Sequence, residues 1–374
     1  MTSPSTNPYR AERLGIIMRP DPADPLEAWG TLNPGGVRGP DGLYHLFPRI
    51  VAAGNYSRIG RACVLFNAEG VPTGVERRGY ALVPQESYEV TPHLGGGVED
   101  PRVTYVAPLG VYVMTYTAFT PPHRPRIALA VSRDLATWTH LGPVRYAVGS
   151  DGIDHNRCGN KDGVLFPDVV QTPQGQPAIA LLHRPTYALD YTDGEGGNPF
   201  AVTAPPNGGK HPEDIWISYT PVARARSDIG QLTTVEGHRV LMGAQAAWEQ
   251  LKIGSGTPPV RLPYGWLLLY HGVSTQGDAA SRRYSAGAAI LDLEDPTTVL
   301  YRSPEPILVP ETPQEMEGIV PGVVFPTATD LHDDGSLDMY YGGADRVIGA
   351  ARIRIPARLP GTIAEEDGRV HPPR

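Results

Sequence analysis

Five stretches of the chain share one pattern of apolar and polar positions: a turn glycine, a run of alternating or continuous apolar residues, then a cluster of polar and aromatic groups. They follow Gly42 (LYHLFPRI), Gly110 (VYVMTYTAF), Gly175 (QPAIALLHRP), Gly265 (WLLLYHGV) and Gly335 (SLDMYYGGAD). The spacing is near-even, with the third interval enlarged, so one supersecondary unit recurs. A Val-bearing strand precedes each run, from Pro34, Asp100, Asp162, Pro258 and Pro321, and another follows, from Gly60, Arg126, Ile215, Gly287 and Val347. Three or four strands per unit, joined by tight turns, make a small antiparallel sheet that cannot bury both faces alone. Five such sheets packed radially bury one another, which predicts an all-β chain folded as a five-bladed β-propeller; a pair of open β-sandwiches is the alternative.

Composition agrees with a turn-punctuated fold. With 43 Gly and 40 Pro in 374 residues, long helices are excluded, while a hydrophobic content of 40% is too high for disorder. No low-complexity linker divides the repeats, so a single domain over residues 1–374, with N- and C-terminal extensions, is expected. The net charge of −8 and the lack of a basic stripe argue against a nucleic-acid partner. The N-terminal MTSPSTNPYRAERLG has no apolar signal run and no segment reaches membrane-spanning length, so a cytoplasmic protein with no membrane partner is expected. Cys63 and Cys158 are too few and too far apart for a disulfide framework.

In a propeller the innermost strands line a central channel, and polar residues at their ends converge from units distant in sequence. GGGVEDPRV (95–103) places Glu99, Asp100 and Arg102 at such a strand start, GNKDGVLFP (159–167) places Lys161 and Asp162, and WEQLKIGSGTPPV (248–260) places Glu249 and Lys252. Strand ends add His183, Arg184, His271 and Asp345. Singly, each has a plainer reading: Asp100 before Pro as a turn residue, Lys161–Asp162 as a surface ion pair, His271 as a core histidine. Their coincidence at equivalent positions points to a site for a polar ligand. His155 and Cys158 have the spacing of two metal ligands but lack a second pair, so no metal is expected. Gly95–Gly97 precede no helical pattern and make no phosphate loop.

Together GVEDPRVTYV, NKDGVLFP, LLHRP, the WE-x-x-KIG-x-G-x-PPV stretch, GWLLLYHGV and VVFP…MYYGGAD resemble glycoside hydrolase family 130, the β-mannoside phosphorylases and related mannosidases, from about Leu32 to Ile355. The resemblance implies a five-bladed propeller and inverting attack on a terminal β-mannosyl unit. It makes Asp100, in EDPR, the general acid, acting through the mannose 3-hydroxyl. Arg58, in NYSRIG, matches a sugar-contacting arginine, and Asp345, in GGAD, a carboxylate that holds sugar hydroxyls. Glu99, Arg102 and Asp162 are expected to line the same substrate pocket.

Phosphate and water as nucleophile need different surroundings. An inverting hydrolase needs a second carboxylate as base, across the sugar from the acid. A phosphorylase needs a cationic pocket instead, because phosphate is already anionic. Lys161, Arg184, Lys252 and His271 resemble the family's phosphate ligands, so phosphorolysis of a β-1,2- or β-1,4-mannoside to mannose 1-phosphate is the first expectation, with inorganic phosphate as co-substrate and no cofactor. An exo-β-mannosidase using Glu213 or Glu249 as base is the alternative, and a non-catalytic glycan-binding propeller a second. Some family members carry Arg-Asn where this chain has Lys161–Asp162, so the anion site here has an added negative charge. The segment from Tyr191 to Asp214, rich in Gly and Pro, enlarges the third unit as a cap, an oligomer contact or a surface excursion; homo-oligomerisation is left open.

Overall fold

The structure is a computed structural model, and it describes residues 7–90, 95–121, 123–149, 152–186, 213–276 and 278–361. It is all-β, with strands grouped in antiparallel runs that follow one another along the chain. After strand β1 (Ala11–Met18), the first group holds β2 (Gly30–Arg38), β3 (Tyr44–Ala52), β4 (Tyr56–Phe66) and β5 (Pro72–Leu82). The second holds β6 (Gly96–Val106), β7 (Val111–Phe119), β8 (Arg126–Ser132) and β9 (Thr139–Pro143). A two-pair parallel contact between β4 and β6 joins these two groups into one sheet.

The third group comprises β10 (Arg145–Tyr146), β11 (Gly159–Leu165), β12 (Val170–Gln171), β13 (Pro177–Thr186), β14 (Ile215–Pro221) and β15 (Thr234–Met242). The fourth comprises β16 (Lys252–Ser255), β17 (Val260–Leu262), β18 (Gly265–Gln276), β19 (Asp278–Leu291) and β20 (Val299–Arg302). The last has β21 (Val324–Leu331), β22 (Ser336–Gly343) and β23 (Val347–Arg354), and β1 returns to pair with β23 as its outer strand. Residues 11–18, expected in an N-terminal extension, are thus part of a sheet.

The five glycine-led apolar runs are β3, β7, β13, β18 and β22. Gly42, Gly110, Gly175 and Gly335 turn the chain at φ between +63° and +79°, which explains why glycine opens these strands. Helix α1 (Val222–Ser227) was not foreseen; it buries Val222 and Ala225 beside β13. The four-residue α2 (Pro313–Met316) precedes β21.

Apolar faces meet between consecutive groups. Phe47 and Ile59 pack with Val103 and Met114, Val113 and Leu129 with Ile179 and Leu181, Ile217 and Leu182 with Trp266 and Leu268, and Leu267 and Ile290 with Met339 and Ile353. A further cluster joins the last group to the first, through Ile17, Tyr340 and Ile348 against Tyr44, Leu46 and Val64. Each sheet therefore buries both faces against its neighbours, as the pattern of near-continuous apolar runs requires. No helix among the described residues is long and apolar enough to cross a membrane. Of the 191–214 segment, only Glu213 and Asp214 fall within the described residues.

The first strands of the groups carry bulges that position the chemistry. Pairing slips between Leu32 and Gly35 in β2, between Glu99 and Arg102 in β6, and between Lys161 and Val164 in β11. At each slip one polar residue adopts left-handed backbone: Asn33 (φ 40), Asp100 (φ 47) and Asp162 (φ 56). The local sequence explains this. Pro34 and Pro101 have no N–H to donate to a ladder, and at Gly163 a Cβ would come within 2.8 Å of Ile127.

Candidate active site

Asn33, Asp100 and Asp162 project into one cavity of about 280 Å³ where strands of all five groups meet. A larger hollow of about 610 Å³ lies over Pro108, Val131 and Ile229, but its charged lining is only Arg133, Asp134 and Arg226. The smaller cavity concentrates opposed charges in two clusters.

The first cluster surrounds Asp100. Its Oδ1 accepts from Asn33 Nδ2 at 2.8 Å and from Arg49 Nη1 at 3.0 Å. Arg49 also donates to Glu99 at 2.8 Å, and Lys161 Nζ reaches the other Glu99 oxygen at 3.2 Å. Burial pushes the Asp100 carboxyl up, but Arg49, Lys161 and Arg102 outweigh it and hold the group below its ordinary range. Asp345, at the turn after β22 with φ 51, lines the same cavity. Burial pushes it up to about 6, with Arg49 opposing and the charges of Asp100 and Glu99 adding. Two carboxyls in one cavity thus differ in proton affinity, the arrangement that separates a proton holder from an anion.

The second cluster is an anion seat. Arg184 and Lys252 line the cavity with His271, Asp162 and Glu213. Arg184 comes to the site because β11 and β13 pair Lys161 with Arg184, and Lys252 and His271 come from the adjacent strands β16 and β18. Arg184 Nε donates to Asp162 Oδ2 at 2.7 Å, and His271 Nε2 lies 3.6 Å from the same oxygen. Glu213 pairs with Arg184 and, at 3.4 Å, with Lys252. Burial lowers Lys252 to about 7, with the Arg184 charge adding. Burial takes His271 down to about 3 against the pull of Asp162, so it is neutral, and both of its buried ring nitrogens lack a hydrogen-bond partner among the described residues. Asp162 is held well below the usual carboxylate range: Arg184, His271 and Arg102 overcome the cost of burial. Gly254 is required here, since a Cβ would collide with Asp162 and His271.

The structure therefore brings Asp100, Lys161, Asp162, Arg184, Glu213, Lys252, His271 and Asp345 to one cavity, with Lys161 paired on the Asp100 side. Five expected residues do not line it: Arg58, Glu99, Arg102, Glu249 and His183. Arg58 sits on the opposite face of β4: Arg49 is paired with Ile59 and Ile50 with Arg58, so pleating turns Arg49 inward and Arg58 away, over the Tyr56 ring. Glu99 and Arg102 lie behind the lining. Arg102 is spent on the carbonyls of Asp100 and Gly256, pinning β6 to β16, and stacks on Phe325 at 5.3 Å.

Glu249 is the fourth. Its Oε2 accepts from the backbone N–H of Gln245 and Ala246, Tyr270 donates to Oε1 at 2.7 Å, and Arg302 pairs with it at 2.8 Å. The same construction recurs twice. Glu89 takes the N–H groups of Gln85 and Glu86, the Tyr116 hydroxyl and His140; Glu315 takes those of Glu311 and Thr312, the Tyr341 hydroxyl and Arg13. Glu249 thus belongs to a structural turn lock.

Arg49, Asn33, Tyr284 and Phe325 line the cavity without having been singled out. Two had a sequence signal. Arg49 is a lone charge inside the apolar run YHLFPRIVA, and Asn33–Pro34 repeats the Asp100–Pro101 arrangement one group earlier. Tyr284 and Phe325 had none, being aromatic residues in apolar strands. His183, beside Arg184, points the other way and bonds Asn160 and Ser218.

Comparison with known proteins gives the family. The glycoside hydrolase family 130 model, described as beta-1,4-mannooligosaccharide phosphorylase, matches residues 231–358. The chain is 31% identical over 329 residues to a 1,2-beta-oligomannan phosphorylase of Thermoanaerobacter sp. (strain X514), covering 84% of this chain and 87% of that relative. It is 34% identical to a 4-O-beta-D-mannosyl-D-glucose phosphorylase of Bacteroides fragilis, over 91% of this chain and 74% of the relative. Its fold matches the beta-1,2-mannobiose phosphorylase of Listeria innocua solved with beta-1,2-mannobiose, with a TM-score of 0.65 and 24% identity over 91% of this chain and 94% of that one. Similarity sustained along nearly the whole of such relatives means that the chain belongs to glycoside hydrolase family 130.

Proposed function

We propose that this enzyme phosphorolyses a short β-mannoside, β-1,2- or β-1,4-linked, with inversion, releasing mannose 1-phosphate. The reading is supported above all by one observation: a single small cavity holds both Asp100, among hydrogen-bond donors, and the Arg184–Lys252 pair. In this reading the closed circuit of five packed groups is a five-bladed propeller forming one catalytic domain, with the cavity near its axis.

The chemistry follows from the charges. Asp100 is the general acid, and Asn33 and Arg49 fix its carboxyl toward the sugar. Of the two carboxyls Asp345 is the weaker acid and takes up a proton more readily than Asp100. An anion arriving at Arg184 and Lys252 raises the proton affinity of both carboxyls and makes protonated Asp100 accessible. Its proton passes to the glycosidic oxygen through the mannose 3-hydroxyl as phosphate attacks the anomeric carbon from the opposite face. Neutral His271 adds a hydrogen bond to phosphate. Lys161 supports Asp100 electrostatically, and Asp345 holds sugar hydroxyls. The hydrolytic alternative loses one of its two bases, because Glu249 is locked outside the cavity.

Replacing Arg184 by Ala tests this reading. A lost charge-assisted contact of about 1.5–3 kcal/mol raises the KM for phosphate by roughly ten- to a hundredfold and leaves the KM for mannoside near its original value. A rise confined to the mannoside KM would assign Arg184 to a sugar subsite instead.

A further inference from the structure

We propose that Glu213 is a built-in competitor of the nucleophile: its carboxylate fills the anion seat of Arg184 and Lys252, and inorganic phosphate enters by displacing it. The proposal rests on the phosphorylase reading. Arg184 is fixed along one edge by Asp162, and it presents Nη1 to Glu213, whose Oε2 also lies 3.4 Å from Lys252 Nζ. A carboxylate offers a guanidinium the same pair of charged oxygens that a phosphate does, so the two ligands are mutually exclusive at these cations.

The charges around the seat support displacement over coexistence. Glu213 spans Arg184 and Lys252, Asp162 is shared by Arg184 and, at 3.6 Å, Arg102, and His271 carries no charge to spare. Phosphate added beside an undisplaced Glu213 would place like charges a few ångströms apart in a buried cavity.

Glu213 is also held in a way that permits it to leave. Glu89, Glu249 and Glu315 are each locked by two backbone N–H groups and a tyrosine hydroxyl. The side-chain partners of Glu213 among the described residues are the two cations that phosphate itself needs. Its main chain is anchored separately, because its carbonyl accepts from Ile253 N–H at 3.3 Å, so the side chain can rotate out while the backbone stays. A seat occupied by its own carboxylate binds phosphate with an affinity reduced by the fraction of time it is vacant.

The test uses the full-length enzyme, its Glu213→Gln variant, which keeps the shape and drops the charge, and Glu213→Asp, which keeps the charge and shortens the reach. Each is titrated with inorganic phosphate alone by calorimetry, and KM values for phosphate and for β-1,2-mannobiose are measured. Glu213→Gln is expected to bind phosphate about tenfold more tightly and to lower the phosphate KM by a similar factor, with the mannobiose KM unmoved and Glu213→Asp in between. Phosphate binding that is unchanged or weakened in Glu213→Gln overturns the proposal while leaving the phosphorylase reading intact. A wild-type enzyme that binds no phosphate, releases free mannose without it and is silenced by Glu213→Gln overturns both, and makes Glu213 a hydrolytic base.

Discussion

Asp100 and Lys252 carry the account at the scale of single residues, one as acid and one as half of the anion seat. Asp100→Asn keeps the shape and the contacts to Asn33 and Arg49 but removes the transferable proton. Turnover is expected to fall about 10²- to 10⁴-fold while the mannoside still binds, measured by single-turnover rates beside equilibrium titration. Lys252 yields a pH signature. Burial and the neighbouring Arg184 bring it down to about 7, so it is charged below that value and neutral above it. An anion binds the charged form, so the KM for phosphate should rise as pH climbs from about 7 to 9, with bound phosphate moving the rise upward. Lys252→Arg, whose guanidinium stays charged throughout, should flatten the rise. An identical rise in that variant would place the titrating group elsewhere.

Glu249 shows what element-level packing does to a residue that looks catalytic. It closes a turn onto β18 and pairs with Arg302 of β20, as Glu89 and Glu315 do in their own groups. Glu249→Ala leaves a largely buried arginine and a tyrosine hydroxyl without their partner, a loss of about 3–5 kcal/mol. Urea unfolding should show that loss, with the KM values for phosphate and mannoside retained. A variant as stable as the wild type but inactive would return Glu249 to the mechanism. The strands themselves were legible, because turn glycines and apolar runs act locally: in every group the first three expected strands correspond to observed ones. In the fourth group, however, the Pro258 stretch is the short β17, and Lys252–Ser255 supplies the inner strand. The bulges at Asp100 and Asp162 were not foreseen, although each carries a polar residue before Pro or Gly. Arg58 was not separable from Arg49 in the sequence, because both arginines lie in strands and only pairing register decides which faces the cavity. The turn lock was missed because its parts are a glutamate, a tyrosine on the group's glycine-led strand and a basic group distant in sequence, related only by folding.

At the scale of the whole molecule, the cavity exists because the groups pack in a closed circuit. The chain's first strand joins its last sheet through β1 and β23, and Arg13 on β1 pairs with Glu315. Asp100 comes from the second group, Lys161, Asp162 and Arg184 from the third, Lys252 and His271 from the fourth, and Asp345 from the last. No single group holds both an acid and an anion seat, so activity belongs to the assembled groups. Their shared cavity is proposed to deliver phosphate, and not water, to the anomeric carbon. The most direct test is to incubate the enzyme with β-1,2- and β-1,4-mannobiose, with and without inorganic phosphate, and follow products by ³¹P and ¹H NMR. The account predicts α-mannose 1-phosphate and one free mannose from one of the two substrates with phosphate, and no turnover without it. Two free mannoses formed at the same rate whether or not phosphate is present would contradict it.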